Sequence, residues 1–256
     1  MKKTVLALLA LALLAFSARA DIYPLNSFHE GEVRLKARDK ASGQALWQSR
    51  VRIARTTFNG KPYLYVIDEG QGKYGSDGKV KSWKTESYSL IEGKKLVPYQ
   101  VKQVFKDPSG RVVSSLQKDY DHAGKTVVCQ VNGRQKNYEF QPDLLDRESL
   151  GVYVEEFPFG AGREVPCHLL TNEPSQYKIS LKDLGRETAT VDGKAYDCYK
   201  LQMLLDMGAI NIFSSFFPKT YFWVDTAASH EIIRYEGLES GLGTPYIVLE
   251  IDKEVK

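Results

Sequence analysis

The sequence predicts a mainly β protein: a single curved antiparallel sheet, an open half-barrel meander, with one short helix packed near its concave face. Three observations lead there. Short turns of Gly followed by a cation recur along the chain, the residues between them alternate apolar and polar, and one stretch carries helical periodicity instead. With 43% hydrophobic and 26% charged residues, the 256-residue chain is ordinary for a globular protein, which excludes a disordered or collagen-like one.

The first element is an export signal. Lys2 and Lys3 form a positive end, Val5 to Phe16 is an unbroken apolar run, and Ala18-Arg19-Ala20 has the small-x-small pattern of a cleavage site. The run is shorter than the roughly 20 residues a membrane-spanning helix needs. The reading is therefore a cleaved signal peptide over 1–20 and a single half-barrel domain over 21–256, exported and not an integral membrane protein. A periplasmic address follows where the host has an outer membrane. Asp21 stands where a lipoprotein would carry its lipidated Cys. The formal charge of +3 comes from 35 Lys+Arg against 32 Asp+Glu, and Lys2, Lys3 and Arg19 account for the whole surplus. A neutral mature chain has no global electrostatic attraction to nucleic acid.

The strands follow from their turns. Asn59-Gly60-Lys61, Gln71-Gly72-Lys73, Asp77-Gly78-Lys79, Glu92-Gly93-Lys94, Ser109-Gly110-Arg111, Ala123-Gly124-Lys125, Asn132-Gly133-Arg134 and Asp192-Gly193-Lys194 share one pattern. Gly supplies the positive φ that tight hairpins require, and Asn-Gly and Asp-Gly are the strongest such pairs. Between turns, Val97, Tyr99 and Val101, then Val127, Cys129 and Val131, then Tyr177, Ile179 and Leu181 alternate with polar residues. That period of two marks antiparallel strands with one buried face. About ten strands in a meander are expected on this count.

The helix is the exception. Leu150, Tyr153, Val154 and Phe157 fall at i, i+3, i+4 and i+7, Asp146 stands upstream as an N-cap, and Pro158 ends the run. Met207 to Pro218 is a second anomaly, an uncharged connection between two strands. It either folds over the sheet as core or forms an apolar flap or docking patch. After it comes the aromatic strand Tyr221-Phe222-Trp223-Val224.

Four features resemble an exported bacterial family, domain of unknown function 3108. They are the exported chain of antiparallel strands, Leu96-Val97-Pro98-Tyr99 opening a strand, Asp146-Arg147-Glu148-Ser149 leading into a helix closed by Phe157-Pro158-Phe159, and Tyr221-Phe222-Trp223-Val224-Asp225. The resemblance covers about residues 45–252. It implies a half-barrel similar to the LolA and LolB lipoprotein carriers, with a helix near the concave face, and it offers no catalytic residues to carry over. Family members often place an Arg toward the end of that helix, where Glu155 stands here.

Chemistry is sparse. His29, His122, His168 and His230 show no i, i+4 pair, and His122 is expected to be solvated in its turn. Cys129, Cys167 and Cys198 allow one disulfide or three buried free thiols. There is no Gly-x-Ser-x-Gly elbow and no phosphate loop. No catalytic residue, metal or cofactor is implied. Aromatic side chains are abundant instead, with 15 Tyr, 11 Phe and 3 Trp. A concave apolar sheet suits an acyl chain, and the expected ligand-binding residues are Tyr153, Phe157, Ile212, Phe213, Phe216, Phe217, Tyr221 and Trp223. The functional expectation is an exported, non-catalytic protein that binds a lipid or a lipoprotein acyl chain. An envelope protein-interaction or assembly module without a small ligand is the alternative, and a hydrolase a distant third.

Overall fold

The computed structural model describes residues 22–26, 30–206, 218–241 and 243–252. Eight strands come first: β1 (Gly31–Asp39), β2 (Ala45–Phe58), β3 (Lys61–Lys73), β4 (Val80–Glu92), β5 (Lys95–Lys106), β6 (Val112–Asp121), β7 (Thr126–Val131) and β8 (Arg134–Glu139). A short β9 (Leu144–Asp146) leads through a 3-10 turn, Arg147–Ser149, into helix α1 (Leu150–Glu155). Six strands follow among the described residues: β10 (Glu164–Leu170), β11 (Gln176–Val191), β12 (Lys194–Asp206), β13 (Thr220–Asp225), β14 (Ile232–Leu238) and β15 (Tyr246–Ile251).

All fifteen strands belong to one open sheet, in the order β8 to β1, then β15 down to β9. Two meanders are thus joined where β1 pairs antiparallel with β15, Leu35 opposite Ile251 and Ala37 opposite Leu249. The predicted curved meander with one short helix is what forms. One pair departs from it, since β9 runs parallel to β10. The strand count exceeds the expected ten because several hairpins turn without the Gly-cation signal. The β1–β2 turn, for example, is held by Asp39 accepting from Ser42 N at 2.7 Å.

Turn chemistry explains most of the meander. Asn59-Gly60, Asn132-Gly133 and Asp192-Gly193 all hold both residues at positive φ, the geometry whose twist matches flanking antiparallel strands. Gly72 is the correction. It lies inside β3 at φ +140, and a Cβ there would meet Leu46 O at 2.4 Å and Trp47 Cα at 2.5 Å. Close approach of the neighbouring strand, not a turn, requires that glycine.

A second correction concerns β5. Tyr88 pairs with Gln100 but Ser89 pairs with Pro98, so Tyr99 sits in a bulge and is exposed. The extra residue shifts the alternation, which buries Leu96 and Pro98 before it and Val101 and Gln103 after it. Leu96, Pro98 and Val101, not Val97 and Tyr99, therefore turn inward.

The sheet curls until strands near its two edges touch through side chains. Tyr120, Val127 and Cys129 from β6 and β7 form one cluster with Leu144 and Leu170 from β9 and β10. At its centre Lys118 Nζ donates to Asp146 Oδ2 at 2.6 Å, and both side chains are almost wholly buried, 0% and 1% exposed. Tyr120 OH donates to the same oxygen. Asp146 Oδ1 accepts from Glu148 N at 2.8 Å, so the carboxylate also caps the 3-10 turn that starts the helix. The predicted cap is in place, and it carries a second duty that local pattern does not reveal.

Helix α1 buries Leu150, Val152, Tyr153 and Val154. Burial of apolar side chains contributes roughly 1.5–3 kcal/mol each, enough to hold a six-residue helix that would not form alone. Tyr153 OH donates to Leu96 O at 3.0 Å and accepts from Leu96 N at 3.3 Å, tying the helix to β5. Tyr23 packs edge-on against both Tyr153 and Phe157 with centroids 5.7 Å apart, and its hydroxyl donates to Tyr153 O.

Three cysteines are buried free thiols, on β7, β10 and β12. Burial pushes Cys129 and Cys198 up to about 11 and Cys167 up to about 12, which leaves them without a nucleophilic thiolate at neutral pH. His122, expected to be solvated, leans edge-on against Phe140 at 4.8 Å and its Nε2 is shut off from solvent. The turn folds back on the apolar edge cluster, which a turn motif alone cannot announce.

Removing Lys118 should strand a buried carboxylate. Lys118→Met is expected to cost about 3–5 kcal/mol in chemical denaturation. Pairing it with Asp146→Asn should recover part of that loss, since no charge is left alone. A Lys118→Met protein as stable as its parent would contradict this role.

Candidate functional site

Curling the sheet around a helix only six residues long leaves a space on the concave side. A cavity of about 1060 Å³ lies there, just above the roughly 300–1,000 Å³ range of small-molecule sites. Strand alternation supplies the apolar walls. Val51 and Ile53 come from β2, Leu249 and Ile251 from β15, and Phe222 from β13. Ile179, Met203 and Leu205 close the side formed by β11 and β12. The helix contributes Leu150, Gly151 and Val152, so it stands as a partition between the packed core and the open space.

The two ends of the helix differ in charge. At the far end, Glu155 borders the cavity and accepts from Ile232 N at 3.3 Å. Burial drives its carboxyl up to about 7, Glu231 and Glu156 add to that, and the Ile232 N–H opposes it. At the near end, Arg147 borders the cavity together with Asp68, Glu148 and Glu239. Arg147 Nη2 donates to Glu239 O at 2.5 Å. The carboxylates around it take other donors, while Asp68 Oδ1, shut off from solvent, has no partner. Glu239 accepts from Trp47 Nε1 at 2.5 Å and from Gly75 N at 2.6 Å. Asp68 accepts from Trp83 Nε1 at 2.9 Å, and Glu148 from Asn172 Nδ2 at 2.6 Å. Burial, chiefly, raises Asp68 to about 6. Trp47 and Trp83 pack edge to face at 5.4 Å, forming an aromatic wall behind these groups.

The residues expected to bind ligand are distributed unevenly. Tyr153 and Phe157 are buried on the core side of the helix, in contact with Tyr23, and do not border the cavity. Tyr221 and Trp223 lie on the face of β13 opposite Phe222. There Lys200 Nζ sits 4.9 and 4.8 Å from their ring centroids, and Trp223 Nε1 donates to Glu187 at 3.0 Å. An all-aromatic run gives no polar residue to mark which face is inward, and Phe222 is the one that turns in. Ile212, Phe213, Phe216 and Phe217 fall outside the described residues, as does the flap expected over 207–218 apart from Pro218. The β2 and β15 residues and Arg147 were not foreseen. Arg147 is visible in the Asp146-Arg147-Glu148-Ser149 run, but nothing local shows that it reaches the concave space.

Among the described residues, no three His, Cys, Asp or Glu side chains are grouped to hold a metal ion. No helix among them is long and apolar enough to cross a membrane. The family model described as a protein of unknown function, DUF3108, matches residues 38–252. The chain belongs to the DUF3108 family. Solved structures similar to this DUF3108 chain include a β-barrel-like protein of domain of unknown function DUF1849 from Brucella abortus. It shares 9% identity at a TM-score of 0.48, over 91% of this chain and 98% of that one. The hypothetical lipoprotein YmcC from Escherichia coli shares 10% at 0.34, over 99% and 98%. An exported protein with a YmcC-like fold from Bacteroides fragilis shares 12% at 0.31, over 91% and 97%. No curated protein matches the DUF3108 chain in sequence.

Glu155 gives the site a pH signature. Its folded pKa of about 7 exceeds its ordinary value of 4.5, so the folded state binds more protons between those limits. Stability is therefore lost as pH rises through that window, and Asp68 adds in the same direction. Glu155→Gln should stabilise the protein at pH 8 by on the order of 1 kcal/mol, with the difference vanishing at pH 4. Thermal unfolding at both pH values checks this, and an equal difference at both would contradict it.

Proposed function

We propose that this protein is an exported, non-catalytic binding protein that holds the acyl chain of a lipid or lipoprotein in the concave cavity. The observation that carries the reading is the cavity itself, about 1060 Å³ with aliphatic walls from β2, β11, β12, β15 and the helix. A void of that size bordered by Val, Ile, Leu and Phe forgoes the dispersion contacts that a packed core would make. An apolar chain supplies those contacts and removes the lining from water, at roughly 25 cal/mol per Å² of apolar surface covered. The N-terminal Lys2-Lys3, apolar run and Ala18-Arg19-Ala20 pattern supports export, and hence a periplasmic address in a cell with two membranes. In that compartment an acyl chain crossing water needs a protein to cover it.

Native mass spectrometry of protein purified from its own host should show an acyl-bearing adduct. Once stripped, the protein should take up a fluorescent fatty acid, and Ile53→Trp, which fills the cavity from its β2 wall, should abolish uptake. A protein that arrives empty and takes up no probe would refute the reading.

A further inference from the structure

The apolar cavity is bounded by acid at both ends of the helix. Among the described residues, eight carboxylate side chains border it against three basic ones. Ion pairs account for part of the excess. Glu30 pairs with Arg55 at 3.2 Å and Glu32 with Arg50 at 3.9 Å, while Glu250 is shared by Arg38 at 2.9 Å and Arg234 at 3.2 Å. What remains sits at the helix ends. Ahead of the helix, Asp68, Glu148 and Glu239 stand around a single cation, Arg147. Their partners are uncharged N–H donors: Trp83 for Asp68, Asn172 for Glu148, Trp47 and Gly75 for Glu239. At the other end Glu155 has the uncharged Ile232 N–H, and Glu231 and Glu156 add negative charge beside it. Lys219, the remaining base on the cavity border, is exposed. The carboxyls respond as under-compensated groups do. Burial chiefly raises Asp68 to about 6, Glu155 to about 7 and Glu239 above its ordinary value, and acidic neighbours push Asp68 and Glu155 the same way.

We infer that the cavity selects against an anionic head, so that its ligand is an acyl chain in uncharged ester or amide linkage and not a free fatty acid or an alkyl phosphate. This rests on the reading that the cavity holds an acyl chain and names what that chain is joined to. An anionic head entering the cavity loses its hydration, and in a medium of low dielectric it is repelled strongly by the charge already there. Turning the chain round gives no relief, because the end at Glu155 is acidic as well as the end at Asp68, Glu148 and Glu239. An ester or amide head meets neither cost in full, since it brings no net charge. The aliphatic walls between the two ends hold the chain itself whatever its head.

The test compares three ligands of one chain length on stripped protein at pH 8: palmitamide, palmitate and hexadecyl phosphate. The amide and the carboxylate have nearly the same shape, so their ratio reads charge. Wild type should bind palmitamide about tenfold or more tightly than palmitate, and more tightly than hexadecyl phosphate. Any apolar cavity disfavours a charge to some degree, so the variants carry the decision. Glu148→Gln, which keeps an acceptor for Asn172, and Glu155→Gln, at the opposite end, each remove one negative charge. Each should lower the palmitamide-to-palmitate ratio by about threefold or more, and if one fails to fold the other decides. Palmitate or the phosphate bound as tightly as palmitamide, or a ratio that no folded variant lowers, would overturn the selectivity while leaving the acyl cavity intact. Binding of none of the three would instead remove the cavity reading on which it stands.

Discussion

The architecture depends on one buried carboxylate. Asp146 takes Lys118 and Tyr120 from one arm of the sheet, and it caps the turn that launches the helix on the other. An open sheet of fifteen strands has no covalent or backbone reason to adopt one particular curl. Hydrophobic contact between β6–β7 and β9–β10 brings the arms together, but apolar packing is non-directional. The ion pair adds position, because a buried charge tolerates only the arrangement that compensates it. The helix start is fixed at the same point, so sheet curvature and helix placement are coupled.

From that coupling the cavity follows. The helix is apolar on both sides, with Tyr153 and Val154 in the core and Leu150 and Val152 facing the open space. A longer or thicker element would fill the concavity as a packed core. A six-residue helix pinned to β5 through Tyr153 leaves the span from β2 across β15 to β12 uncovered. Polar groups then gather at the helix ends, where the backbone leaves the partition: Arg147 before it and Glu155 at its close. Each is buried enough for its state to be set by the few groups around it.

The fold was legible to the extent that local chemistry determines it. Asn59-Gly60, Asn132-Gly133 and Asp192-Gly193 hold positive φ by residue type, so they place their hairpins correctly, and Asp146 reads correctly as a cap. What local chemistry missed were contacts set by a neighbouring strand. Gly72 shares the turn pattern yet answers to the backbone of Leu46 and Trp47 across the ladder. Tyr99 reads as an inward residue until a bulge shifts the register under it. The cavity lining departs from the expected residues for the same reason at a larger scale. Tyr153 and Phe157 look like a ligand-facing stripe, but the core claims them because Tyr23 and Leu96 lie on that side. The actual walls come from β2 and β15, strands some 200 residues apart in sequence. No local period could bring Ile53 and Leu249 together.

The most direct test of a ligand-filled concave face is a crystal structure of the stripped protein grown with palmitate. Continuous tubular density should run along Leu150 and Val152 between the β2 and β12 walls. A cavity filled only by a chain of ordered water, or collapsed by inward movement of its walls, would contradict it.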